Sequence, residues 1–184
     1  LHALLRQHGV RLKLGSTVAG FASQGEQVTT LLEGEESLTS DMVLLAIGVT
    51  PDSSLAREAG LELGQRGAIR VNERMETSVP DIYAVGDAVE VEHFVTKERA
   101  VISLAGPANR QGRIAADNIC GGDSRYPGSQ SSSVLQLFDM TAASTGINEK
   151  EAQAAGIDYD KVVLSPENHA SYSPGSATMT IKVL

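Results

Sequence analysis

Gly86-Asp87 closes a short apolar run, Ile82-Tyr83-Ala84-Val85, that follows Thr77-Ser78-Val79-Pro80-Asp81. The run reads as a buried parallel strand, because such strands are apolar on both faces and bounded by turn signals. Ligands of open α/β sheets bind beyond the carboxyl ends of the strands. At such a point Gly86 lets backbone approach a ligand closely, and Asp87 supplies an acceptor for a sugar-like hydroxyl. An isolated Gly-Asp more often merely turns the chain, so the neighbouring segments must decide between the two readings.

Other residues capable of chemistry read first as structure. His93 lies on an alternating stretch and reads as a surface or packing residue. His169 reads the same way, with acid–base work, the usual chemistry of imidazole, as the lesser reading. Cys120 stands before Gly121-Gly122 at the end of a helical pattern and reads as a small buried hydrophobe. Arg110 and Arg113 read as a solvated or ion-paired helix face. Glu33, Glu35 and Glu36 form a solvated turn; their spacing and the lack of histidines fit no metal template, so no metal is expected.

The elements that must hold these residues follow from apolar spacing. Leu1, Leu4, Leu5 and His8 fall at helical spacing and Gly9 stops the helix. Val10, Leu12 and Leu14 alternate with Arg11 and Lys13 as a half-buried strand. Residues 18–21 and 27–32 read as two more strands, and another begins at Leu38. Residues 42–47 are a second buried-strand candidate, ending at Gly48. Ser53 or Ser54 caps a short helix through Ala59, stopped by Gly60. Residues 68–71 form a strand, and alternation from Val89 to Val95 suggests an extended arm. A helix begins near Pro107, with Ile114, Ala115 and Ile119 on its apolar side and Gly121-Gly122 at its end. Residues 121–133 are Gly/Ser-rich and mark a domain boundary. Beyond them, strands over 133–140 and 141–147, a helix over 148–155 and strands over 162–164 and 177–184 suggest an α+β module. Asn148 caps its helix, with Glu151 three residues on.

The 184 residues carry a net charge of −8, which argues against nucleic acid or an anionic membrane surface as partner. No apolar run approaches the ~20 residues of a membrane span, and no signal peptide is visible. A single cysteine fits a reducing compartment, hence a cytoplasmic protein. The chain opens inside a helical pattern without Met and stops inside a strand pattern; both ends read as cuts in a longer protein.

Three segments together resemble the flavin-dependent pyridine nucleotide–disulfide oxidoreductases. The first is Met42-Val43-Leu44-Leu45-Ala46-Ile47-Gly48-Val49-Thr50-Pro51, similar to the strand crossing from the nicotinamide domain to the flavin domain. The second is the stretch from Thr77 to Asp87, similar to the family's second flavin motif. The third is Leu104-Ala105-Gly106-Pro107-Ala108-Asn109-Arg110-Gln111-Gly112-Arg113, the helix start that follows it. A fourth, His169-Ala170-Ser171-Tyr172-Ser173-Pro174-Gly175, resembles a dimerisation-domain motif of the branch holding coenzyme A-disulfide reductases, NADH oxidases and persulfide reductases. Where that pattern often has a second tyrosine, this chain has Ser173.

The resemblance implies an α/β fold. Residues 1–47 would end a NAD(P)-binding domain, 48–122 would be the second half of a Rossmann-like FAD-binding domain, and 123–184 would begin an α+β dimerisation domain. It implies FAD as cofactor and NAD(P)H as substrate. Asp87 would hydrogen-bond the ribityl chain, with Gly86 giving room. Leu104, Ala105, Ala108 and Asn109 would lie at the flavin pyrimidine edge, where a helix N-terminus favours the negative charge of the reduced ring. Gly48 would lie near the nicotinamide. Tyr172 would be catalytic, reaching a homodimer partner's active site to protonate a leaving thiolate. The expected function is hydride transfer from NAD(P)H through FAD to a small disulfide, coenzyme A disulfide first, with an NADH oxidase or persulfide reductase as the alternative. The glycine-rich pyrophosphate loops and the redox cysteine have no counterpart in these residues. By itself the chain would therefore be a non-catalytic piece.

Overall fold

The computed structural model describes residues 1–34 and 36–184, with Gln24 by its backbone alone. They divide into two compact units, Leu1–Val49 and Thr50–Leu184.

The first unit opens with α1 (His2–Gln7), which ends where expected. The Gly9 amide donates to the Arg6 carbonyl and the Val10 amide to Leu5, the paired bonds of a Schellman stop. A meander of β1 (Val18–Gln24), β2 (Gln27–Leu32) and β3 (Leu38–Ser40) follows, antiparallel and in that spatial order. Phe21 pairs with Thr30 and Val28 with Ser40. The expected Glu-rich turn falls between β2 and β3, with Glu35 outside the described residues.

Two strand expectations in this unit fail. Residues 10–14 are irregular, and residues 42–47 are irregular and exposed, Ile47 at 90%. An apolar run becomes a buried strand only when neighbours take its N–H and C=O groups and cover both faces. Among the described residues no strand pairs with either run.

The second unit begins with α2 (Ser54–Glu58), its N-cap at Ser53. The Ser53 hydroxyl does not cap; it donates to the Gly67 carbonyl at 2.6 Å. The central sheet has order β4 (Ile69–Arg70), β5 (Val89–Glu92), β6 (Arg99–Val101), parallel between β4 and β5 and antiparallel between β5 and β6. α3 (Ala105–Ile119) packs its Ile114 and Ala115 into a core with Val71, Met75, Val89, Val91, Ile102 and Tyr126.

Of the stretch 89–95 read as an extended arm, Val89–Glu92 is thus the middle strand, buried on both faces through Val91. Glu90 points into that interior at 0% exposure. A buried carboxylate is tolerable only when paired and hydrogen-bonded, and this one accepts from the Gln65 amide at 2.8 Å and from Arg70 Nε at 3.0 Å. Gly64 makes room for it, since a Cβ there would stand 2.0 Å from a carboxylate oxygen. The run 82–85, by contrast, is not a buried parallel strand. It makes a single bridge, Tyr83 to Glu76, and Ile82 and Val85 stay partly exposed. Its path is set by the Asn72–Glu76 turn, where the Asn72 side-chain oxygen accepts from the Arg74 and Glu76 amides and the Met75 carbonyl accepts from the Ala84 amide. Asn72 and then Arg74 hold the Glu76 carboxyl below its ordinary value.

The Gly/Ser-rich stretch 121–133 is tied to the sheet and α3. Gly121 and Gly122 close α3 in another Schellman stop, onto Asn118 and Asp117. Arg74 then pairs with Asp123, Asn118 Nδ2 donates to the Arg74 and Ser124 carbonyls, and the Tyr126 amide donates to Glu73 while its side chain enters the core. Beyond it come the hairpin β7 (Ser133–Leu137) and β8 (Met140–Ser144), α4 (Glu149–Ala154), and the antiparallel pair β9 (Val162–Leu164) and β10 (Ile181–Val183). α4 carries the expected capping box: Asn148 accepts from the Lys150 and Glu151 amides, and Glu151 accepts from the Asn148 amide.

Candidate functional site

Gly86 and Asp87 lie in a single 3-10 turn, Gly86–Ala88, that follows extended Val85 and leads into β5. Gly86 has φ +83°, a conformation side chains resist. A Cβ there would meet nothing within 4 Å, so the space beside this backbone is open. The Gly86 amide donates to Gln111 Oε1 at 2.7 Å, fastening the turn to α3. The exposed Asp87 carboxylate makes no hydrogen bond or ion pair among the described residues. It is a free acceptor held on a fixed backbone.

The start of α3 supplies the complementary polarity. Leu104 is its N-cap and has no side-chain oxygen to offer the first amides. The Ala108 amide makes the first intrahelical bond, to the Leu104 carbonyl at 3.1 Å. In this first turn Pro107 has no N–H to leave unpaired, and the amides of Ala105 and Gly106 come too early for a helical acceptor. Asn109 Nδ2 folds back onto the Ala105 carbonyl at 2.9 Å. The amides open to a ligand are therefore three residues before the Ala108 and Asn109 positions that the resemblance singles out. With the positive end of a 15-residue helix behind them, they favour an electron-rich group.

Tyr172 sits in the loop between β9 and β10, 91% exposed. The loop is ordered by its own bonds: a Glu167–Thr178 bridge, Asn168 to Ala177, the Ser173 amide to Ala170, and His169 Nε2 3.4 Å from the Pro174 carbonyl. Among the described residues no hydrogen bond joins this loop to the Asp87 turn. Gly48, with φ +101°, belongs to the first unit.

Cys120 is exposed, contrary to the expectation of burial, because it caps the last turn of α3 where the chain leaves for solvent. At about 1.5 Å per residue it stands roughly 20 Å from the Ala105 end of the helix, out of reach of that site. Ile119 is likewise exposed, and the buried face of α3 is Gln111, Ile114, Ala115 and Asn118. Gln111 and Asn118 escaped notice because polar residues in a helix read as solvated. Their spacing around Ile114 and Ala115, at i, i+3, i+4 and i+7, was the available signal.

A model of the family described as pyridine nucleotide-disulphide oxidoreductase matches residues 1–112. The chain belongs to that family, and its α/β architecture is a partial segment of the FAD- and NAD-binding oxidoreductase fold. It is 34% identical over 178 residues to the NAD(P)H sulfur oxidoreductase (CoA-dependent) of Pyrococcus abyssi, covering 97% of this chain and 40% of that protein. It is 39% identical over 152 residues to an NADH oxidase of Streptococcus pneumoniae, covering 83% of this chain and 33% of that one. Among solved structures, the reduced CoADR-RHD of Bacillus anthracis superposes with a TM-score of 0.93 at 45% identity, over 98% of this chain and 32% of that one. The chain thus spans 40% or less of each of these relatives.

Proposed function

We propose that this chain serves in a cytoplasmic, dimeric flavoprotein that passes hydride from NAD(P)H through FAD to a small disulfide or persulfide, coenzyme A disulfide first. The observation that carries the reading is the unpaired Asp87 carboxylate on a turn fastened to α3, the helix whose open N-terminus bears two unengaged amides. These residues fit a flavin. Asp87 accepts from ribityl hydroxyls, Gly86 leaves the approach clear, and Ala105 and Gly106 face the pyrimidine edge beside Leu104, Ala108 and Asn109. Gly48 stands on the nicotinamide side. Bound FAD supplies the two-electron transfer. Tyr172, carried on the ordered β9–β10 loop, donates a proton to the thiolate that leaves in a homodimer partner's site. Exposed Val134, Leu135, Val162, Val163 and Val183 give the C-terminal hairpins apolar surface for that association. The redox cysteine is not Cys120.

The S. pneumoniae relative supports a second reading, in which oxygen is the acceptor. Anaerobic reduction of the full-length protein by NADH, followed by mixing with coenzyme A disulfide or with oxygen, separates the two. Recovery of the oxidised flavin spectrum with the disulfide at catalytic rate is the expected result. Recovery with oxygen alone would replace the reductase with the oxidase.

A further inference from the structure

We infer that Gln111 is a positioning residue for the flavin site, holding the Asp87 turn in register with the N-terminus of α3; the inference rests on the flavin reading above. Gln111 is 1% exposed on the face of α3 that otherwise buries Ile114 and Ala115. A buried amide on an apolar face is unfavourable unless its hydrogen bonds are used. Its Oε1 is used on the Gly86 amide at 2.7 Å.

That contact has a specific geometric consequence. Gly86 adopts a left-handed φ, its amide donates to Gln111 Oε1, and the turn's own closing bond is the Val89 amide on the Gly86 carbonyl. Asp87 has no partner to orient it, so its direction is inherited from the Gly86 backbone. Among the described residues Gln111 makes the one hydrogen bond between this turn and α3. The same helix carries the open amides of Ala105 and Gly106 about one and a half turns earlier, so one side chain sets the spacing between the two halves of the site. Replacing Gln111 by an apolar residue of similar length leaves the Gly86 amide unpaired and lets the Asp87 turn drift from the helix.

The test is a titration of full-length apoprotein with FAD, read by quenching of flavin fluorescence, with the visible circular dichroism of the bound flavin as a second readout. Four variants are compared with wild type: Gln111→Met, Gln111→Leu, Asp87→Ala, and Asp87→Ala combined with Gln111→Met. Gln111→Met and Gln111→Leu both remove the acceptor and should each weaken FAD binding about tenfold and alter the dichroism. In the Asp87→Ala background, Gln111→Met should cost nothing further, since its effect passes through Asp87. A full additional loss in that background, or wild-type affinity in Gln111→Met or in Gln111→Leu, would overturn the inference; the leucine variant keeps the test if Gln111→Met does not fold. If Asp87→Ala alone binds FAD as wild type does, the flavin reading of Asp87 is the part that fails, and the inference falls with it.

Discussion

Asp87, the proposed flavin contact, shows how little of such a role is visible in a residue's own identity. A Gly-Asp pair is common; what distinguishes this one is a left-handed Gly86, open space beside it and a carboxylate with no partner. A charge-assisted hydrogen bond that Asp87 accepted from a ribityl hydroxyl would contribute roughly 1.5–3 kcal/mol, about a ten- to hundredfold effect on affinity. Asp87→Ala in the full-length protein should therefore lose FAD on dilution and dialysis, measured as the flavin-to-protein ratio. Stoichiometric flavin after that treatment would make Asp87 a turn residue. The sequence carried Gly86 and Asp87 because their types match the chemistry. It did not point to Gln111 or Glu90, whose importance comes from what surrounds them. Glu90 alternates with valines as a solvent-facing residue would, and only the sheet reveals that both faces of β5 are covered and that Arg70 and the Gln65 amide meet its carboxylate.

Elements whose signals are local were legible. Gly9, Gly60 and Gly121 each stop a helix as read, in the paired-bond geometry that the unread Gly156 also adopts, and the Asn148–Glu151 capping box formed as read. Strands depend on partners far along the chain, so residues 42–47 and 82–85 look like buried strands yet pair little or not at all, while β6 gave no warning. α4 illustrates a tertiary role that capping rules do not reach. Glu149 in its first turn pairs with Lys182 on β10 and with Lys161 just before β9, at 2.9 Å for the latter, and so clamps both arms below the Tyr172 loop. Lys182 and then Lys161 hold the Glu149 carboxyl down from 4.5 to about 2. Between those values the unfolded chain binds more protons than the folded one, so this contribution is complete above about pH 4.5 and is lost as pH falls toward about 2. The protection factors of the β9 and β10 amides against hydrogen exchange should fall as pH drops across that window, less steeply at high salt because the group is partly exposed. Glu149→Gln should remove that dependence. An unchanged pH profile in the variant would show that the clamp contributes nothing.

At the scale of the molecule, the chain divides its work between two places: the Asp87 turn with the head of α3, and the loop that bears Tyr172. Within Thr50–Leu184 they are separate structures, each ordered by its own hydrogen bonds. Under the proposed function this arrangement would suit an isologous dimer, each loop serving the partner's flavin, with Asp87 holding the cofactor and Tyr172 acting after hydride transfer, when a thiolate leaves. The acidic charge of −8 is compatible with a small-molecule acceptor. The direct measurement is stopped-flow of full-length wild-type and Tyr172→Phe protein, following flavin reduction by NADH and then reoxidation by coenzyme A disulfide. Reduction should be unchanged, and disulfide turnover should slow by about 10- to 10⁴-fold, the usual worth of a positioned general acid. Equal slowing of both half-reactions, or slowing of neither, would contradict the account.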